Sequence, residues 1–265
     1  MQTPLLEISG LSVRRDIPIL SDIDWRIDPN EHWVILGANG SGKTTLLRTL
    51  LAYTAPTEGT ISLFGESYGQ TDWREIRKHV GVVSNHLGER VASRLTIRDI
   101  VESGRDAAFR PPQNTQKTDP ARVTDILRQI QCEDLQNRSW MVLSQGERQR
   151  TLIGRALMAD YRLLILDEPC VGLDPVARHL FLQFLDGLMK TPGSPAIILV
   201  THHVEEILPG FTHVCLLKNG KMLTQGPKKS VLTNAWMSEA FDAEVAIHPK
   251  DHAYALTINL EKEIL

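Results

Sequence analysis

The sequence predicts an α/β fold built on a buried, mainly parallel sheet, and three observations carry the prediction. Short, continuous apolar runs, Trp33–Leu36, Val80–Val83, Leu163–Leu166 and Ala196–Val200, have the length and uniform hydrophobicity of strands covered on both faces. Helical spacing of apolar residues separates them, as in Leu46, Leu47, Leu50 and Leu51, or Leu152, Ile153, Ala156 and Leu157. The first apolar run passes straight into Gly37-Ala38-Asn39-Gly40-Ser41-Gly42-Lys43-Thr44-Thr45. Strand, glycine-rich loop and helix in that order are the setting of a phosphate-binding loop.

Along the chain, Leu5–Val13 reads as a first strand, and Ile19–Ile27 as a second. In the latter Ile23, Trp25 and Ile27 alternate with Asp22, Asp24 and Arg26, the pattern of a half-buried strand in an antiparallel layer. After the loop helix, Pro56–Gly59 turns into a strand over Thr60–Phe64, and Thr71–Lys78 is a short helix. From Asn85 to Gln145 no strong strand pattern appears. Thr96–Gly104 and Ala121–Ile130 are helical in spacing, Pro111–Pro120 is a polar surface loop, and the stretch reads as a helical insertion. A long helix opens at Ser144, and another spans about Pro175–Met189. Val214–Leu217 and Lys221–Leu223 flank Asn219-Gly220, a strong hairpin signal. Asn234–Phe241 is helical, and Ala243–Ile247 and Ala253–Ile258 are strand-like.

The composition bounds the function classes. The 265 residues are 42% hydrophobic and 23% charged, with a formal charge of −3. That balance argues against a nucleic-acid binder, which shows a basic excess. Cys132, Cys170 and Cys215 form no metal-binding spacing and read as thiols in a reducing compartment. The first residues lack the basic and apolar regions of a signal peptide, and no apolar run approaches the roughly 18 residues of a membrane span. A membrane role then requires a partner chain.

The chemistry begins at the glycine-rich loop. Its glycines let several N–H groups converge on one anion, and the helix that follows adds its positive dipole end. Lys43 is expected to reach the β- and γ-phosphates and the Thr44 hydroxyl to ligate Mg²⁺. At the end of the Leu163–Leu166 strand, Asp167 is the expected Mg²⁺ carboxylate, and Glu168 beside it the group that orients or activates water. Hydrolysis fits this pair better than transfer to another acceptor.

Leu143-Ser144-Gln145-Gly146-Glu147 precedes that strand, Gly172-Leu173-Asp174 follows it, and His202 follows the Ala196–Val200 strand. Order and wording resemble the nucleotide-binding domain of ABC transporters over residues 5–230, closest to bacterial single-domain ATPases with LSQGE, DEPCxGLD and THHxEEI phrases. The resemblance implies a RecA-like core with an N-terminal antiparallel layer and a helical subdomain. Residues 1–242 would form the ATPase domain, with 1–84 and 156–242 as core and 85–155 as the helical part. Residues 243–265 would be a tail of short strands packed on the core. It also implies an ATP-dependent homodimer, in which each Mg²⁺-ATP lies between one copy's phosphate loop and the other's Ser144, Gln145, Gly146 and Glu147. His202 would contact the γ-phosphate, and Asp174 would link the two sites. Ser144 and Glu147 also stand at capping-box spacing, a role compatible with anion binding at the same helix end.

This sequence departs from the family pattern in places. Asn85 stands where a glutamine usually reaches Mg²⁺, Arg15 where an aromatic residue stacks on adenine, and Gln145 and Glu147 replace the usual glycine and glutamine. A guanidinium can stack on a base, while Glu147 is expected to weaken self-association by repelling phosphate. His203 reads as a bystander, and Glu205-Glu206 as a solvated helix start. The family implies a subunit coupled to a separate transmembrane chain that docks near Asn85–Arg94, placing it in the cytoplasm on the inner membrane face. A soluble ATPase of translation, repair or regulation is the alternative, although the second ATPase domain or long coiled-coil arms of such proteins are not seen.

Overall fold

The computed structural model describes residues 3–84, 91–106, 120–159, 161–250 and 253–259. Asn85, Glu89 and Arg90, and nearly all of the Pro111–Pro120 loop, lie outside them. In chain order come β1 (Leu6–Arg14), β2 (Pro18–Ile27), β3 (Trp33–Leu36), α1 (Lys43–Leu50), β4 (Glu58–Leu63), β5 (Glu66–Ser67) and α2 (Trp73–Arg77). Next are β6 (Val80–Ser84), α3 (Ile97–Glu102), α4 (Pro120–Gln129), α5 (Gln145–Met158), β7 (Leu163–Asp167) and α6 (Pro175–Lys190). The last are β8 (Ala196–Thr201), β9 (His213–Lys218), β10 (Lys221–Pro227), α7 (Lys228–Val231), α8 (Asn234–Phe241), β11 (Glu244–Lys250) and β12 (Ala253–Asn259). Packing divides the chain into one unit of Met1–Ile76 with Ala196–Leu265 and a second of Arg77–Pro195.

In the first unit, β2, β1, β4 and β5 form an antiparallel sheet in that order. Leu6 faces Ile27 and Ile8 faces Trp25 across β1 and β2. Leu6, Ile8, Leu11 and Val13, with Ile23, Trp25 and Ile27, are buried, as the alternation requires. β3 lies between β8 and β9 and runs parallel to both. All four of its residues are buried, which explains its uninterrupted apolar sequence. β10 returns antiparallel along β9 through the Asn219-Gly220 turn, whose two residues have φ of 48° and 74° as such a two-residue turn demands. That turn is tied into its surroundings: the Gly220 N–H donates to the Ser41 carbonyl at 2.9 Å, and the Ser21 N–H to the Gly220 carbonyl at 2.9 Å. α1 buries Leu46, Leu47 and Leu50. The two strand-like tail pieces pair with each other as the β11–β12 hairpin.

The second unit holds the parallel pair β6 and β7, in register from Val80 opposite Leu163 to Ser84 opposite Asp167. α3 is capped at both of its partners: the Thr96 hydroxyl accepts from the Asp99 N–H, and the Asp99 carboxylate accepts from Thr96 N–H. α3, α4 and α5 meet around Ile97, Val101, Val123, Leu127, Ile130 and Ile153, all fully buried. The stretch leading into α5 is laced to the stretch leading into α3. Trp140 N–H donates to the Leu95 carbonyl, Met141 N–H to Ser93, and Ile97 N–H to Arg138. Among the described residues between 91 and 159 there are helices, turns and the isolated Thr96–Ser139 bridge, and no strand.

Candidate functional site

In the first unit the glycine-rich loop leaves the C-terminal end of β3. Leu36, the last residue of β3, stands opposite Thr201, the last residue of β8. Gly37 and His202 therefore depart from neighbouring strand ends, the edge of a parallel sheet where ligands bind. The loop spans Gly37, Ala38, Asn39, Gly40, Ser41 and Gly42, and α1 begins with Lys43, Thr44 and Thr45. Gly42 occupies the N-cap with φ 109°, a conformation closed to side-chain-bearing residues, and no side chain caps the helix. No side chain therefore competes with an exogenous acceptor at this helix end.

Two further observations fit a phosphate group. Lys43 is only 6% exposed, and its ammonium donates to the carbonyls of Gly37 at 2.8 Å and Ala38 at 3.0 Å. It is held against the loop by the loop's own backbone. The Ser41 hydroxyl is buried with no hydrogen-bond partner, a polar atom that a bound oxygen would satisfy. Phosphate therefore fits the residues present.

His202 is followed by a tight turn. The Thr201 hydroxyl accepts from His203 N–H at 3.0 Å and donates to the Glu206 carboxylate at 2.7 Å. Glu205 is exposed as expected, whereas Glu206 is 2% exposed, which corrects the expectation that it too is solvated. Its carboxylate folds inward because the Thr201 hydroxyl supplies a donor there. Arg15 lies exposed in the β1–β2 turn, two residues beyond the buried Val13 of β1.

In the second unit β6 and β7 end together, with Ser84 opposite Asp167. The expected Asn85 would follow Ser84, outside the described residues. Glu168 has φ 49°, a left-handed conformation that costs a side-chain-bearing residue about 1–2 kcal/mol. Such strain gathers where a side chain must be aimed. Sequence reasoning named Glu168 from its position after Asp167, but nothing local marked its backbone.

α5 carries the other predicted residues, Ser144, Gln145, Gly146 and Glu147. The Ser144 hydroxyl accepts from Glu147 N–H at 3.3 Å, and the Glu147 carboxylate accepts from Ser144 N–H at 2.7 Å. Arg138 stands 3.6 Å from the same carboxylate. The expected repulsion of phosphate by Glu147 is weakened accordingly, because the cap and a guanidinium already engage its charge. The partner escaped sequence reading because Arg138 sits nine positions upstream on an irregular stretch. Asp174 caps α6, with Oδ1 accepting from Val176 N–H at 2.9 Å and Ala177 N–H at 3.0 Å. A cleft of about 190 Å³ reaches Ser144, Glu147 and Asp174.

The cysteines play no part in this chemistry. Cys132, Cys170 and Cys215 are buried and in no disulfide, and burial pushes the pKa of Cys132 and Cys215 up, away from thiolate. Among the described residues no helix is long and apolar enough to cross a membrane.

Comparison with known proteins agrees with this arrangement. The ABC transporter family profile matches residues 20–171. The chain is 37% identical to the ABC transporter ATP-binding protein YlmA of Bacillus subtilis, over 92% of this chain and 93% of that protein. Among solved structures, cbiO1 from Clostridium perfringens, described as part of the ABC transporter complex cbiONQ, superposes with a TM-score of 0.75 at 25% identity. The match covers 90% of this chain and 94% of that one. The fold is shared with the cassette MJ0796, a dimer bound to ADP and Pi, at a TM-score of 0.71 and 23% identity, over 84% of this chain and 98% of that one. The loop with its buried lysine, the capped LSQGE helix and the strained glutamate thus stand on a chain that belongs to the ABC transporter family, as an ATP-binding, ATP-hydrolysing component.

Proposed function

We propose that this chain is the energy-coupling subunit of a transporter whose membrane-spanning part is a separate chain. Two copies would close around two Mg²⁺-ATP, each phosphate loop facing the partner's α5 N-terminus. The observation that carries the reading is the presence of two helix ends suited to phosphate, of which only one holds a lysine. A single copy then offers half of each of two sites. The dimeric form of MJ0796 and the membership of cbiO1 in a transporter complex support it.

The ATP itself supplies the phosphoanhydride bond that is broken, and Mg²⁺ neutralises charge on its oxygens. Thr44 and Asp167 are the proposed Mg²⁺ ligands, with Asn85 as a third. Lys43 and the α1 N–H groups bind and orient the phosphates, and Glu168 orients the attacking water and accepts its proton. His202 contacts the γ-phosphate, Asp174 links the two sites, and Arg15 stacks on the base. Through its partner the chain would lie on the cytoplasmic face of the membrane.

Glu168→Gln tests the reading. Turnover should drop roughly 10²–10⁴-fold, the usual value of general-base catalysis, while ATP stays bound and holds a dimer detectable by light scattering. Affinity capture of that trapped form from detergent-solubilised cells should recover a polytopic membrane protein. Wild-type turnover would overturn the role of Glu168. Recovery of ribosomal or repair proteins from a purely soluble pool would overturn the transport role and favour the soluble alternative.

A further inference from the structure

We propose that His203, the second histidine of Thr201-His202-His203, is a positioning residue that orients His202 by ring contact. The inference rests on the γ-phosphate role of His202 proposed above. The two imidazole centroids are 4.1 Å apart and the ring planes are inclined by 38°. At that separation one ring covers a face of the other and restricts its rotation about χ2, the broad torsion that otherwise lets a terminal imidazole swing. Aromatic pairs prefer such close, inclined or offset arrangements.

His203 is itself held from three directions. Its backbone N–H donates to the Thr201 hydroxyl at 3.0 Å, and that hydroxyl is fixed by donation to the buried Glu206 carboxylate at 2.7 Å. Its ring nitrogen Nδ1 lies 3.4 Å from a Glu205 oxygen. The turn that follows, Val204–Glu206, begins with a residue only 1% exposed and is packed on by β12. Thr201 and Glu206 thus fix the His203 backbone, Glu205 stands beside its ring, and that ring is a stop for the ring of His202. His203 touches neither reacting atoms nor nucleotide in this scheme. It acts by fixing the direction of a hydrogen bond that must be in place when charge develops on the γ-phosphate.

The test compares the full chain with His202→Ala, His203→Ala, His203→Phe and Glu205→Gln, measuring kcat and KM for ATP. His203→Ala should lower kcat about two- to tenfold, the range expected for one aromatic contact, with KM unchanged. His203→Phe keeps a ring at the same position and should recover kcat to within about twofold of wild type. Glu205→Gln should fall between, since it loosens the ring without removing it. A residue that merely stabilises the fold would not give this split or this rescue. If His202→Ala is impaired and His203→Ala is not, or if His203→Phe is as slow as His203→Ala, the positioning inference is overturned. If His202→Ala turns over at the wild-type rate, the role of His202 is overturned and the inference goes with it.

Discussion

The N-termini of α1 and α5 face the same physical problem and meet it differently. Each begins with backbone N–H groups that have no carbonyl behind them. α5 satisfies part of this need from its own sequence, through the reciprocal Ser144–Glu147 box, with Arg138 balancing the carboxylate. α1 has a glycine at the N-cap, no capping side chain, a buried lysine and a buried serine hydroxyl without a partner. One end is capped by its own side chains, and the other has none that caps it. On the proposed reading, primary affinity for nucleotide belongs to α1, and α5 contributes as a complementary surface to nucleotide held by the other copy.

The largest test of this difference is Lys43→Ala. Removing a buried, charge-assisted contact worth about 1.5–3 kcal/mol should weaken ATP binding about 10- to 100-fold, measured by titration calorimetry. A dissociation constant within twofold of wild type would dissolve the distinction between the two ends. A smaller effect is expected at α5. Glu147→Gln keeps a side chain able to cap and removes one charge. ATP-dependent dimerisation should change by less than about threefold, because Arg138 already offsets that charge and exposed pairs contribute about 0–1 kcal/mol. Arg138→Gln should weaken dimerisation, and the double variant should restore it. A strong gain from Glu147→Gln alone would mean that its carboxylate faces phosphate after all.

The smallest effect lies before β3, at the opposite end of the strand from the phosphate loop. His32 accepts a hydrogen bond through Nδ1 from the Ile197 N–H at 3.2 Å, and burial lowers its pKa below the ordinary 6.5. Above that value both folded and unfolded chains are neutral there, and the contribution to stability is complete. As pH falls below about 6.5 the unfolded chain takes up the proton first, so stability declines. Urea denaturation between about pH 7 and 5 should show a shallower decline in His32→Gln than in wild type. An unchanged slope would remove His32 from the account.

Elements whose signals are local were legible in the sequence. β3 and α8 have the bounds that Trp33–Leu36 and Asn234–Phe241 suggest, and the Asn219-Gly220 turn lies where the dipeptide places it. β4 begins at Glu58 rather than Thr60 because its start is set by pairing with Ser12, a partner 46 positions away. The strand–loop–helix setting of the glycine-rich loop and the Ser144–Glu147 cap were readable because each fixes residue type and spacing together. Glu206 was misread because a glutamate usually seeks water, and only the folded turn brings the Thr201 hydroxyl against it. His203 gave no signal because ring contact between adjacent residues depends on χ angles, which spacing does not encode.

Glu168 sits in a backbone conformation that glycine would adopt freely. Glycine at position 168 would relieve that strain, and on the proposed reading it would also remove the group that orients the attacking water. If Glu168 has the proposed role, the glutamate is kept there at some expense of stability, and screens that rank variants by heat resistance should enrich inactive forms at this position.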